Sequence, residues 1–284
     1  MPASALLLVL FAAICHTTWN LLLKRDARRL ETQVGALAWG VVLASPVLAV
    51  YSVRDVSPMG WALIVASAVF ETGYVFALTS AYAAGDLSLV YPVARGSAAL
   101  AVVPLAMLVL GERPSLSGLA GIALVLAGVF GGNAGAFRRA PLAPGRRRAL
   151  ALALLTGSMT AGYSLVNKVG VGLMPVPLYA YLVFAINVTC VYSILWGWRG
   201  TVPAFRGAGL AKTVVMGAMM LAAYLSVLTA MSMAPVSYVV AAREVGVVVA
   251  ALLGMLVLRE PRSPSRLLAA VVIFSGLVVI AVSR

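Results

Sequence analysis

The chain has 284 residues, of which 63% are apolar and only 10% charged, whereas soluble domains carry roughly 45–50% and 25%; an ordinary water-soluble enzyme is excluded. A hydrocarbon core about 30 Å thick takes about 20 apolar residues per helix, so ten spans with short connectors use nearly the whole chain. The net charge of +13 lies largely in the gaps between apolar runs, where it reads as a topology signal rather than a nucleic-acid surface.

In chain order, apolar runs predict helices at 3–23, 32–52, 58–84, 86–110, 115–136, 149–170, 175–197, 209–233, 235–258 and 263–283. The runs lack the alternation of a membrane β-strand and exceed its roughly 10 residues. Breakers mark several boundaries: Pro58, Gly85 with Asp86, Pro114, Pro175, Pro235, and Pro261 with Pro264. The first run has no basic residue ahead of it and is long enough to span, so it reads as the first helix rather than a secretory leader. Residues 137–148, FRRAPLAPGRRR, form a basic linker between residues 1–136 and 149–284. Cys15 and Cys190 both lie inside apolar runs and make no disulfide framework.

Residues 94–112, ARGSAALAVVPLAMLVLGE, align without gaps to residues 242–260, AREVGVVVAALLGMLVLRE, with eight of nineteen positions identical. A weaker echo relates His16, Trp19, Asn20 and Lys24 to Thr160, Tyr163, Ser164 and Lys168. Both matches indicate duplication. Five helices per half is an odd number, so the second copy enters the bilayer from the opposite side. The expected fold is an all-α membrane protein, ten transmembrane helices forming two inverted five-helix repeats around a central cavity. The connectors after helices one, three, five, seven and nine, taken with Lys212 and Arg266 in the first turn of the helix that follows, hold 15 Lys and Arg against 3 in the other connectors and termini, which predicts that both termini face outside.

Four charges lie within predicted spans: Glu71, Arg95, Arg243 and Glu244. At about 2.5–3.5 kcal/mol each on insertion scales, they cost on the order of 10 kcal/mol unless paired, hydrated or turned to a cavity. The repeat relates Arg95 to Arg243 and places both near mid-depth, where two guanidiniums could clamp one carboxylate or phosphate-like group. The competing reading is a fastening role, with Arg95 on Glu71 and Arg243 on Glu244 or a backbone carbonyl. Glu71 is the candidate for a coupling proton if burial raises its affinity for one.

Tyr74, three residues after Glu71, and Tyr91 and Ser88, four and seven before Arg95, share helix faces with those charges. His16, Trp19 and Asn20 form a similar patch in helix one, and Thr160, Tyr163 and Asn167 another in helix six; hydrogen bonding between helices is the alternative for each. Lys24 and Lys168 are expected to snorkel, and Glu112 and Glu260 to reach the headgroup zone. Pro92 and Pro104 permit helix four to bend.

The segments GDLSLVYPVARG with LVLGE, and SYVVAAREVGVVVAALLG with LVLRE, resemble the EamA-like branch of the drug/metabolite transporter superfamily. The resemblance covers the whole chain. It implies a single-chain inner-membrane carrier of amino acids or other metabolites, with Asn20, Glu71, Arg95, Tyr163, Tyr224 and Arg243 around its cavity. A fainter likeness to members found beside phosphonate-utilisation genes would suit an arginine pair. Two departures stand out. Many relatives keep both termini in the cytoplasm, and the small multidrug members carry a glutamate in helix one, where this chain has no acid before Lys24.

The resulting expectation is a secondary transporter that moves a small anionic or zwitterionic metabolite, such as an amino acid, organic acid or phosphonate, with the bilayer and a coupling proton as further partners. No cofactor, metal site or nucleic-acid partner is expected. A GxxxxGK[ST] phosphate loop is missing from the sequence. The alternatives are a lipid flippase, a membrane scaffold, or an intramembrane enzyme. The last has one histidine to offer as a base and neither an HExxH nor a GxSxG pattern.

Overall fold

The structure is a computed structural model that describes residues 1–24, 26, 28–85, 87–132, 144–200, 209–249 and 264–283. Among the described residues all regular structure is helical: α1 (Ala3–Lys24), α2 (Arg29–Ala44), α3 (Pro58–Ala84), α4 (Leu87–Val109), α5 (Leu116–Gly132), α6 (Pro144–Gly170), α7 (Val176–Arg199), α8 (Leu210–Met233), α9 (Val236–Ala242) and α10 (Pro264–Val282). Seven of these hold a window long and apolar enough to cross a bilayer; α5 and the apolar part of α10 are shorter.

The helices are inside-out relative to those of a soluble protein. On α1, Leu7, Phe11 and Ile14 recur at helical spacing and are exposed, while Ala5, Val9, Ala12 and Ala13 are buried. Large apolar side chains thus cover the outer face, and small ones face the interior, where helices pack closely. Ser57 caps α3 by accepting from the Gly60 amide at 3.1 Å, with Pro58 in the first turn. Gly200 closes α7 at φ 64°, a left-handed position suited to glycine.

Three predicted boundaries move. Helix two ends at Ala44 and continues as a 3-10 turn over Ser45–Ala49, with Pro46 inside that turn. Helix six begins at Pro144, so the last five residues of the predicted linker are already helical. Helix nine is not continuous: α9 stops at Ala242, and helical backbone resumes at 245–249 after a tighter turn at Arg243 and Glu244. Residues 250–258 of that predicted helix, and Glu260, lie outside the described residues. Pro92 and Pro104 are both accommodated within α4 without ending it.

The packing repeats itself across the two halves. A methyl group added at Gly121 on α5 would lie 2.9 Å from the Gly276 carbonyl oxygen on α10, and one at Gly128 3.0 Å from that of Ala269. Position rises along α5 as it falls along α10, so these helices run antiparallel. Adding 148 residues, the offset of the internal match, turns the pair 121/276 into 269/128.

Charged side chains hold the helix ends. Glu112, expected at the headgroups, caps α9: its Oε1 accepts from the Val236 amide at 2.6 Å, and its Oε2 accepts from the Ser237 amide and hydroxyl at 3.1 and 2.6 Å. Lys168, expected to snorkel, donates instead to the carbonyls of Met231 (2.6 Å) and Ala234 (2.9 Å) at the end of α8. An acid at a helix start and a base at a helix end both complement the helix dipole. The side chain of Lys24 lies outside the description.

Asp26, between α1 and α2, accepts from the Arg28 amide (2.8 Å), the Thr32 hydroxyl (2.8 Å) and Lys212 Nζ on α8 (2.7 Å). Burial alone would raise its pKa; the hydrogen bonds and the Lys212 charge outweigh that and hold it below the usual carboxylate value. A depressed folded-state pKa gives stability that is fully present above the unfolded value, about 3.9, and is lost as pH falls through the folded one. The melting temperature of the wild type should therefore drop relative to Asp26→Asn as pH goes from 5 to 3, and the gap between them should be constant above pH 5.

Candidate functional site

The helices leave a cavity of about 90 Å³ between them. About 10–15 Å³ admits one water, so several fit. Of the side chains expected at the site, His16 and Trp19 (α1), Glu71 and Tyr74 (α3), Arg95 (α4), Tyr163 and Asn167 (α6), Tyr224 (α8) and Arg243 (after α9) line it. Asn20, Tyr91 and Glu244 are close by but do not line it. The Asn20 amide donates to the His16 carbonyl of its own helix at 2.8 Å. The Tyr91 hydroxyl is buried with no hydrogen-bond partner, beside Gly246. The side chain of Ser88 lies outside the description.

The two arginines are not equivalent. Arg95 Nη2 donates to the Arg243 carbonyl at 2.9 Å and lies 3.2 Å from Glu244 Oε1. The backbone tightens at this turn, where the Val247 amide bonds to Glu244 O and the Gly246 amide to Arg243 O, three residues back rather than four; the Arg243 carbonyl thus accepts from both Gly246 and Arg95. Neither expected fastening pair, Arg95 with Glu71 or Arg243 with Glu244, forms among the described ion pairs; Arg95 takes Glu244 instead. The reason is geometric, since adjacent residues on a helix diverge by about 100°, which turns Glu244 away from Arg243 and toward α4. Arg243 lines the cavity, and its guanidinium has no carboxylate within ion-pair distance among the described residues. By the repeat offset the counterpart of Glu244 is Gly96, where even a methyl group would lie 2.6 Å from the Phe130 ring.

A polar network borders the other wall. Asn167 Oδ1 accepts from Ser67 (2.6 Å) and Tyr179 (2.8 Å), and its Nδ2 donates to the Tyr224 hydroxyl at 3.1 Å. Glu71 lies against this network with Oε1 buried and unpartnered. The formal charges of Arg95, Arg243, Glu71 and Glu244 sum to zero. Aromatic rings complete the walls: His16 packs edge-on to Trp19 at 4.9 Å, Tyr74 edge-on to Tyr163 at 6.0 Å, and Phe184 stacks on Tyr224 at 4.8 Å.

Sequence reasoning missed Gln33 and Asn187, which line the cavity and each bury a side-chain oxygen with no partner. A signal was present, since Asn187 interrupts the apolar run LVFAINV and Gln33 opens that of helix two. No group of three or more metal-ligating side chains occurs among the described residues.

A family model described as the EamA-like transporter family matches residues 3–133 and 147–282. Among solved structures, 29 chains match. One is a crystal structure 18% identical to this chain, with a TM-score of 0.77, covering 98% of this chain and 96% of its own; at that identity it supports the fold alone. A search of the curated proteins finds no match.

Proposed function

Because the chain belongs to the EamA-like transporter family, a family of multi-pass membrane transporters, we propose that it is a secondary carrier. It moves a small anionic or zwitterionic metabolite, such as an amino acid, organic acid or phosphonate, across the inner membrane by alternating access. The observation that carries this reading is Arg243, which lines a partly open cavity between the helices and has no carboxylate within ion-pair distance among the described residues. Its planar fork suits a carboxylate or phosphonate. Glu71 on the same cavity offers the complementary charge for an ammonium group.

The zero formal charge sorts the cargo by how it travels. A zwitterion crosses without changing the charge of the cavity. A monoanion makes it negative, so one proton on Glu71 restores neutrality, and this is the proton coupling we assign to that residue. The small cavity favours molecules of a few heavy atoms, since drug-sized ligands occupy roughly 300–1,000 Å³, and it argues against a flippase that must pass acyl chains.

Ten spans in two inverted five-helix repeats, 1–136 and 149–284, form the scaffold of this mechanism. The antiparallel run of α5 against its counterpart α10, and close approaches that interchange at the 148-residue offset, support the inversion. The excess of Lys and Arg after odd-numbered helices supports termini that face outside.

The test is thermal stabilisation of the purified protein by L-alanine, succinate, 2-aminoethylphosphonate and, as a cationic control, choline. A ligand at 100 times its Kd stabilises by about 2.7 kcal/mol. At least one anionic or zwitterionic compound should raise the melting temperature and be taken up by proteoliposomes, and Arg243→Gln should remove the shift. Stabilisation by choline alone, or a shift that survives Arg243→Gln, would overturn the reading.

A further inference from the structure

Glu244 does not line the cavity, yet it is almost wholly buried at 1% exposure beside a group that does. Its hold on Arg95 is loose. The contact is a single 3.2 Å ion pair through Nη2, and that nitrogen gives one of its two hydrogens to the Arg243 carbonyl. Glu244 Oε2 and Arg95 Nε are both buried with no hydrogen-bond partner. A fastening pair would use the arginine fork at two points; here one edge of the fork is unused while the guanidinium borders the cavity. Glu244 also stands at the turn between α9 and the resumed helix, where the backbone has departed from regular α-helical bonding.

We propose that Glu244 is the counter-ion of the empty carrier: it neutralises Arg95 while the cavity holds no substrate, letting the unloaded protein close and reorient, and the anionic group of the substrate displaces it from Arg95. This rests on the carrier reading above. The physical reason is desolvation. Open to water, an unpaired guanidinium is hydrated; in the closed intermediate the same charge is stripped of water at a cost of several kcal/mol unless an anion accompanies it. Glu244 supplies that anion from within the chain, so the return step needs no cargo. A protein without it could close only around an external anion and would be an obligatory exchanger.

The test needs no substrate. A single cysteine replaces Ala223, which lines the cavity, in a protein whose Cys15 and Cys190 are changed to alanine, and a membrane-impermeant maleimide is applied to right-side-out and inverted vesicles in anion-poor buffer. The parent protein should react from both sides. Glu244→Gln should react from one side, with the other slowed by about tenfold or more, as expected when one buried charge loses its partner. The double variant Arg95→Gln with Glu244→Gln keeps the parental balance, with Arg243 offset by Glu71 on the same cavity, and should regain reaction from both sides; it also serves if the single variant fails to fold. Two-sided reaction of Glu244→Gln at the parental rates, or one-sided reaction of the double variant, would overturn the proposal and leave the assignment of Arg243 standing. One-sided reaction of the parent protein would overturn the carrier reading as well.

Discussion

Arg243→Gln should abolish substrate binding and transport while leaving a well-folded protein, whereas Arg95→Gln should chiefly destabilise it. Each hydrogen bond to a charged group contributes about 1.5–3 kcal/mol, so losing a two-point contact weakens binding by about 100-fold or more. Arg243 has no buried carboxylate on it to strand, and glutamine keeps the polar volume. Arg95 differs, because its removal leaves Glu244 buried and uncompensated, a change that costs about 3–5 kcal/mol out of a typical total of about 5–15. Equilibrium binding and melting temperature measured on both variants separate the two roles. Arg243→Lys should restore little binding, since an ammonium lacks the planar fork. Equal loss of stability in the two single variants would contradict the assignment.

Gly276→Leu should prevent assembly of the folded protein. A first carbon at this position would lie 2.7 Å from the Gly121 carbonyl oxygen and 2.8 Å from the Val125 amide nitrogen. Both are backbone atoms of α5, so a rotamer change cannot relieve the clash; α5 and α10 must separate. Overpacking typically costs about 1–3 kcal/mol when side chains can yield, and here they cannot. Gly131→Leu is the control, as nothing lies within 4 Å of a first side-chain carbon at that position. Gel filtration of detergent-solubilised protein should show a monodisperse peak for the control and aggregate for Gly276→Leu; a monodisperse Gly276→Leu would contradict the close packing.

The helices were legible in the sequence because a bilayer imposes length and composition on each segment independently of its neighbours: α3 has the predicted bounds, and α7, α8 and α10 differ from prediction by at most two residues at either end. The equivalence of Arg95 and Arg243 was also legible, since duplication left it in the text of the chain. Their different partners were not. The turn at Arg243 and Glu244 carries no proline, and its effect on which way Glu244 points depends on α4, more than a hundred residues earlier. Glu112 on α9 and Lys168 on α8 were misread for the same reason: a helix cap across 63 to 125 residues of chain leaves no local pattern. Asn187 and Gln33 were readable as isolated polar residues in apolar runs but lacked a charge to draw notice.

The crowded position at Gly96 bears on how such a protein can arise. In an antiparallel dimer of identical five-helix subunits, whatever follows the arginine in one subunit follows it in the other, so the chamber would hold two acids there or none. Here one half carries Glu244, and the other carries a glycine at which an added methyl group would meet the Phe130 ring at 2.6 Å. That imbalance requires two copies that can mutate separately, as the two halves of one chain can, and it is a charge arrangement that a dimer of identical subunits cannot have.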